Sequence, residues 1–157
     1  MRLPIQASKT PNSGGDPTRK NSRAHKLEGV SILVVDDESD SREVLAEILR
    51  QYGAETSTAP SAHDALVEID RSKPQVLLSD IGMPHVDGFE LIRRVRKQIP
   101  EADMIALALT GLGGKKDMER ALVEGFQQCI VKPVQPESLV ETIERLLVSR
   151  PHTPPAR

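Results

Sequence analysis

From residue 30 onward, short β-rich apolar runs alternate with stretches whose apolar residues recur every three to four positions, and that alternation excludes most folds. The runs are "SILVV" (31–35), "AETSTA" (54–59), "QVLLS" (75–79), "MIALAL" (104–109) and "QCIV" (128–131). Three are nearly all apolar, as strands covered on both faces should be. Between the runs, Val44, Leu45, Ile48, Leu49 and Tyr52 share one helical face, as do Ala65, Leu66 and Ile69, then Phe89, Leu91, Ile92 and Val95. Leu139, Val140, Ile143, Leu146 and Leu147 repeat the pattern in a last helix. Asp40 with Glu43, and Ser61 with Asp64, have capping-box spacing, Pro136 suits a first helical turn, and Gly53 suits a left-handed helix end. The expectation is an α/β fold, an open parallel sheet of five strands alternating with five helices, reached by right-handed crossovers.

Ligands of such sheets lie beyond the carboxyl ends of the strands. The first run, within "ILVVDDESD" (32–40), ends in Asp36 and Asp37, and the third is followed by Asp80. The fourth is followed by Thr110 and the fifth by Lys132 and Pro133, whereas the second ends in Ala59 and Pro60 and offers no ligand. Two carboxylates about 4 Å apart repel by roughly 4 kcal/mol at an effective dielectric of about 20, so something must offset them. A hard divalent cation does this: three carboxylates, a backbone carbonyl and water satisfy the octahedral demand of Mg²⁺, or of Mn²⁺ in its place. One acid at a strand end is explained by helix capping, but three acids, a threonine and a lysine at four strand ends are not. A carboxylate can serve as nucleophile and form an aspartyl-phosphate, with a metal on one side of the transferring group and an ammonium and a hydroxyl on the other.

In order and spacing, "VVDDE", "SDIGMPHVDG", "LT" and "VKPV" resemble the receiver domain of two-component response regulators, the CheY-like family, over roughly residues 30–148. The resemblance implies a flavodoxin-like sheet of strand order 2-1-3-4-5 with five helices on both faces. It implies that Asp80 is the phosphoacceptor, taking a phosphoryl group from a phosphohistidine of a histidine kinase or phosphotransfer protein. Asp37, Asp80 and the carbonyl of Gly82 would contact the metal, with Asp36 acting mostly through water. Lys132 would pair with the phosphoryl group, Thr110 would swing toward it, the bond before Pro133 would be cis, and Gly88 would sit at a turn. The fourth helix, fifth strand and fifth helix would meet a downstream partner. The domain would promote its own phosphorylation without being a turnover enzyme.

The chain departs from the family pattern at several positions. Where many members carry an aromatic residue or histidine as the second half of the threonine-coupled switch, it has Cys129, read first as a packing cysteine and second as a redox-sensitive position. Two residues beyond Asp80 and Thr110 stand Gly82 and Leu112, neither able to orient a water or accept its proton, so self-dephosphorylation is expected to be slow.

Residues 1–28 read as a flexible basic linker, with six Lys/Arg against Asp16 and Glu28, so this segment is +4 and the remainder −6 of a total of −2. Its "QASKTPNSGGDPTRKNSRAHK" has no apolar period and too little apolar surface to offset its ordering entropy, and without aromatic residues it is a weak nucleic-acid footprint. The receiver domain is expected over 29–149 and a disordered Pro-rich tail over 150–157. The lack of a signal-peptide core, of an apolar run near 18 residues, and of a second cysteine leads to the expectation of a cytoplasmic chain with no membrane contact.

Of the histidines His25, His63, His85 and His152, none has metal-ligand spacing, and "RRVRKQ" (93–98) reads as a solvated helix face. "GLGGKKD" (111–117) lacks the Walker spacing and reads as a mobile loop. "RLPI" at residues 2–5 resembles the closing strand of the ATPase domain of hybrid histidine kinases, and "DIGMP" and "GFQQCIVKPV" resemble their receivers, so both a hybrid-kinase fragment and a free receiver stay open. Two rival functions also stand: a phosphate-independent interaction module, and a Mg²⁺-dependent phosphohydrolase. The latter is disfavoured because such enzymes place the nucleophile on the first strand with an aspartate two residues on, where this chain has Glu38.

Overall fold

The structure, a computed structural model, describes residues 25–82, 88–111 and 115–149. The expectations for "RLPI", for most of the linker, for His85, Leu112, His152 and the C-terminal tail lie outside these residues, as does most of the "MPHVDG" loop. The elements run β1 (Ser31–Val35), α1 (Ser39–Gln51), β2 (Glu55–Ala59), α2 (Ala62–Ser72), β3 (Val76–Asp80), α3 (Gly88–Arg96), β4 (Ile105–Thr110), α4 (Lys115–Glu124), β5 (Gln128–Val131) and α5 (Pro136–Ser149). The five strands form one sheet in the order β2-β1-β3-β4-β5, and every pairing is parallel. That is the expected architecture.

Successive strand residues feed opposite cores, because side chains alternate across a pleated strand. Leu33, Val35, Leu77, Ala106 and Ala108 pack with Ala65 and Ile69 of α2, Phe89, Leu91, Ile92 and Val95 of α3, and Ala121 of α4. Ile32, Val34, Val76, Leu78, Ile105, Leu107 and Leu109 pack on the other face with Leu45 and Leu49 of α1 and Leu139, Val140 and Ile143 of α5. Burial on both faces explains why the central strands read as continuous apolar runs, while the edge strand β2, "ETSTA", is largely polar. Among the described residues, no helix is long and apolar enough to cross a membrane.

Helix ends agree in part with expectation. Ser61 caps α2, its hydroxyl accepting the Asp64 N–H at 3.1 Å, Pro136 opens α5, and Gly53 follows α1 with φ of +97°. The capping box at Asp40 does not form. The N-cap is Glu38, without a side-chain cap, and Asp40 lies inside the first turn, where a carboxylate favours the helix dipole. Val44, expected on the buried face, is 59% exposed, because the stripe that meets the sheet is centred on Leu45 and Leu49. Gly88 opens α3 rather than lying in a free turn.

Two differences are larger. Leu27, inside the stretch read as linker, is fully buried, and its N–H donates to the Tyr52 carbonyl at 2.8 Å. Leu27 in the second core, its backbone bond to Tyr52 and the Lys26–Glu144 ion pair at 3.9 Å together hold residues 25–28 on the domain. In "RRVRKQ", Arg96 is no solvated residue. Its guanidinium donates to the carbonyls of Gly125 (2.9 Å), Met104 (2.8 Å) and Ile99 (3.3 Å) and to Gln127 Oε1 (2.9 Å). Burial presses its pKa below the usual guanidinium range. Arg93 joins Glu90 on its own helix and Glu124 on α4, while Arg94 stays on the exposed side, paired with Glu90.

Candidate functional site

Parallel register brings the carboxyl ends of β1, β3 and β4 to one rim. Val35 pairs with Ser79 and Asp80 with Leu109, so Asp36, Asp80 and Thr110 leave the sheet at neighbouring levels. Asp36 is fully buried, Asp37 exposed and Asp80 intermediate, and a carboxylate oxygen from each lies within 4.8 Å of the others. At that spacing each ionised pair repels by roughly 3 kcal/mol at an effective dielectric of about 20.

Protein groups offset part of this. Lys132, directly after β5, directs Nζ to Asp36 Oδ2 at 3.2 Å and to Asp80 Oδ2 at 3.3 Å. The Glu38 N–H donates to Asp36 Oδ1 at 2.9 Å, and the Gly82 N–H to Asp80 Oδ1 at 2.9 Å. Arg42, one turn into α1, reaches back to the Asp36 carbonyl at 2.8 Å.

Titration reflects the balance. Burial, more than any other cause, pushes the Asp36 pKa up, with the Asp80 charge adding to it and the Glu38 N–H and Lys132 opposing it. For Lys132, burial works against the ammonium, yet the charges of Asp80 and Asp36 outweigh it and the pKa is raised. Three carboxylates against one ammonium leave these groups at −2, matched by one divalent cation. All-oxygen donors, a buried acid and one exposed member that leaves an open approach fit Mg²⁺ or Mn²⁺.

Thr110 is buried at the end of β4, and its carbonyl accepts the Lys132 N–H at 2.8 Å, tying the two strand ends together. The Lys132–Pro133 peptide bond is cis. Cys129 is buried beside Ala106 and Ala108, and burial, with a smaller contribution from Asp117, pushes its thiol pKa up. Asp36, Asp37, Asp80 and Lys132 thus come together, Thr110 borders them, and Cys129 lies in the core. Sequence reading missed Arg42 and the backbone N–H of Glu38. The only signal for Arg42 was a basic residue one turn into an acidic helix start.

The family model described as response regulator receiver domain matches residues 32–144. An uncharacterized 14.6 kDa protein in the sodA1 3′ region of Leptolyngbya boryana is 40% identical over 126 residues, spanning 80% of this chain and 95% of that protein. Sensor histidine kinase RcsC of Salmonella typhi is 32% identical over 120 residues, 76% of this chain, but the chain spans only 12% of RcsC. Among solved structures, Vibrio cholerae chemotaxis protein CheY4 superposes with a TM-score of 0.70 at 30% identity, covering 74% of this chain and 98% of CheY4. A CheY-like receiver domain protein from Methanospirillum hungatei gives 0.71 at 30% identity, covering 77% of this chain and 95% of that one.

Proposed function

The chain belongs to the response regulator receiver domain family, and from that membership we propose that Asp80 is the residue on which it accepts a phosphoryl group. The observation that carries this reading is Lys132 lying within hydrogen-bond distance of both Asp36 and Asp80 at the rim of three clustered carboxylates. The donor is a phosphohistidine on a histidine kinase or phosphotransfer protein, and the reaction takes place in the cytoplasm.

In the step, a carboxylate oxygen of Asp80 attacks phosphorus, an O–P bond forms, and the N–P bond of the donor breaks with its electron pair passing to the imidazole nitrogen. Asp36, Asp37, Asp80 and the Gly82 carbonyl would hold Mg²⁺, which when bound would supply charge neutralisation for the attacking carboxylate and the phosphoryl oxygens. Lys132 holds phosphoryl oxygens from the opposite side, leaving Asp36 as it does so. The Gly82 N–H and the Arg42 bond to the Asp36 carbonyl keep the acids in place. Thr110, one residue past the strand position that pairs with Asp80, supplies the hydroxyl that follows the phosphoryl group and moves the end of β4.

The test is intact mass after incubation with Mg²⁺ and phosphoramidate, on the wild type and on Asp80→Asn. A gain of one phosphoryl group in the wild type alone is expected. No gain by folded wild type, from this donor or from a phosphorylated histidine kinase, would overturn the reading in favour of a phosphate-independent module.

A further inference from the structure

Among the described glycines, three have a left-handed backbone: Gly29, Gly53 and Gly125. Gly88 is not among them, so its backbone conformation is open to any residue. What singles it out is space. A Cβ built there would lie 2.6 Å from the Asp80 carbonyl oxygen, 2.6 Å from Ile81 Cα and 3.0 Å from Ile81 Cγ2. Ordinary van der Waals contact begins near 3.4 Å, and the first two obstacles are main-chain atoms that no rotamer change can move.

We infer that Gly88 is a positioning residue for the acceptor: the bare backbone at the start of α3 abuts the main chain of Asp80 and Ile81 and sets where the Asp80 carboxylate stands. This rests on the reading of Asp80 as the phosphoacceptor. The Asp80 segment is held from the other side as well, since the Ile81 N–H donates to the Leu109 carbonyl of β4 at 3.0 Å. The helix has little freedom to retreat, because Phe89, Leu91 and Ile92 are buried in the core directly behind it. A methyl group at 88 therefore displaces the Asp80–Ile81 peptide, and the carboxylate moves with it. The Gly82 N–H bond to Asp80 Oδ1 belongs to the same short segment and shifts too. Misplacement of a reacting group by about 1 Å can cost on the order of 10²-fold in rate.

The experiment measures phosphoramidate-driven phosphorylation at saturating Mg²⁺ for wild type, Gly88→Ala, Phe89→Leu and Asp80→Asn, each rate divided by the folded fraction from circular dichroism. Phosphorylation of the wild type and not of Asp80→Asn first secures the acceptor; failure there would sink the proposed function, and this inference with it. Given that control, Gly88→Ala is expected to lose at least tenfold in rate per folded molecule, and its Mg²⁺-induced shift in Tm is expected to shrink. Phe89→Leu, which weakens the same helix by lost packing, is expected to keep the wild-type rate per folded molecule. A Gly88→Ala rate within twofold of wild type would overturn the inference. Failure of Gly88→Ala to fold even with an osmolyte that strengthens burial would also overturn it, making the glycine a requirement of the fold alone.

Discussion

Lys132 and Asp80, 52 residues apart in the chain, meet at 3.3 Å between Nζ and Oδ2, and the same ammonium reaches the fully buried Asp36 at 3.2 Å. Lys132 therefore holds two carboxylates that repel one another, and replacing it exposes that repulsion. Lys132→Met is expected to destabilise the metal-free protein by about 1–3 kcal/mol, the cost of leaving a buried charged group without its partner. Its phosphorylation rate is expected to fall on the order of 10²-fold, the scale of losing one stabiliser of a developing charge. Urea unfolding in EDTA and phosphorylation by mass measure the two effects separately.

The raised pKa of Asp36 sets the sign of one pH effect. An acid whose folded-state pKa exceeds its unfolded value of about 3.9 weakens the fold wherever both states are ionised. That penalty is relieved as pH falls from the folded pKa toward the unfolded one. In EDTA near neutral pH, Asp36→Asn is expected to raise Tm by a few degrees, and the advantage is expected to vanish as pH drops to about 4. In wild type, saturating Mg²⁺ is expected to reverse the ranking, since a bound ligand at about 100 times its Kd adds about 2.7 kcal/mol. A Tm for Asp36→Asn below that of metal-free wild type at neutral pH would contradict the balance drawn for this residue.

Gly82 has no side chain, and among the described residues a Cβ there would meet only Asp80 Oδ1, at an ordinary 3.6 Å. Among the described residues nothing blocks a larger side chain there. Phospho-Asp80 is expected to last for hours in Mg²⁺ buffer, because no side chain at 82 orients the attacking water. Gly82→Asn is expected to shorten that lifetime by several-fold or more. Loss of the phosphoryl mass within seconds in wild type would refute the expectation.

Arg96 joins α3 to the carbonyls of Gly125, Met104 and Ile99 and to Gln127, whose Oε1 also accepts the Ala106 N–H at 2.7 Å. These contacts lie toward the amino end of β4, away from the acidic rim. Arg96→Met is expected to cost about 2–4 kcal/mol, since several part-buried acceptors lose their donor together. Phosphorylation per folded molecule is expected to stay unchanged. An exposed arginine would cost within about 0.5 kcal/mol, so denaturant unfolding separates the two descriptions.

Cys129 is buried and its thiol pKa is raised, chiefly by that burial. Iodoacetamide is expected to label it slowly in the native protein and rapidly in urea. Because the thiolate is the reacting species, the native rate is expected to keep climbing above pH of about 9, past the level at which a free cysteine peptide begins to saturate. Native labelling as fast as the peptide would favour the redox-sensitive reading.

Much of this protein is determined along the chain, because the periods of helix and strand are local. The runs 31–35, 104–109 and 128–131 follow from short continuous apolar β-rich stretches and the stripes of α3 and α5 from apolar residues recurring every three to four positions, and strand ends are legible as the points where apolar residues give way to Asp36, Asp80, Thr110 and Lys132. The resemblance added strand order and candidate roles. Only the tertiary structure decided what depends on contacts between distant residues. Leu27 is buried because Tyr52 and the second core stand beside it, and Arg96 is half-buried because Gly125, Met104 and Gln127 converge on it. Val44 faces outward because the direction of α1 against the sheet, and not its period, selects the covered stripe. At the rim, Arg42 and Gly88 act on the backbone of Asp36 and Asp80, and a backbone contact leaves no pattern of residue types to read.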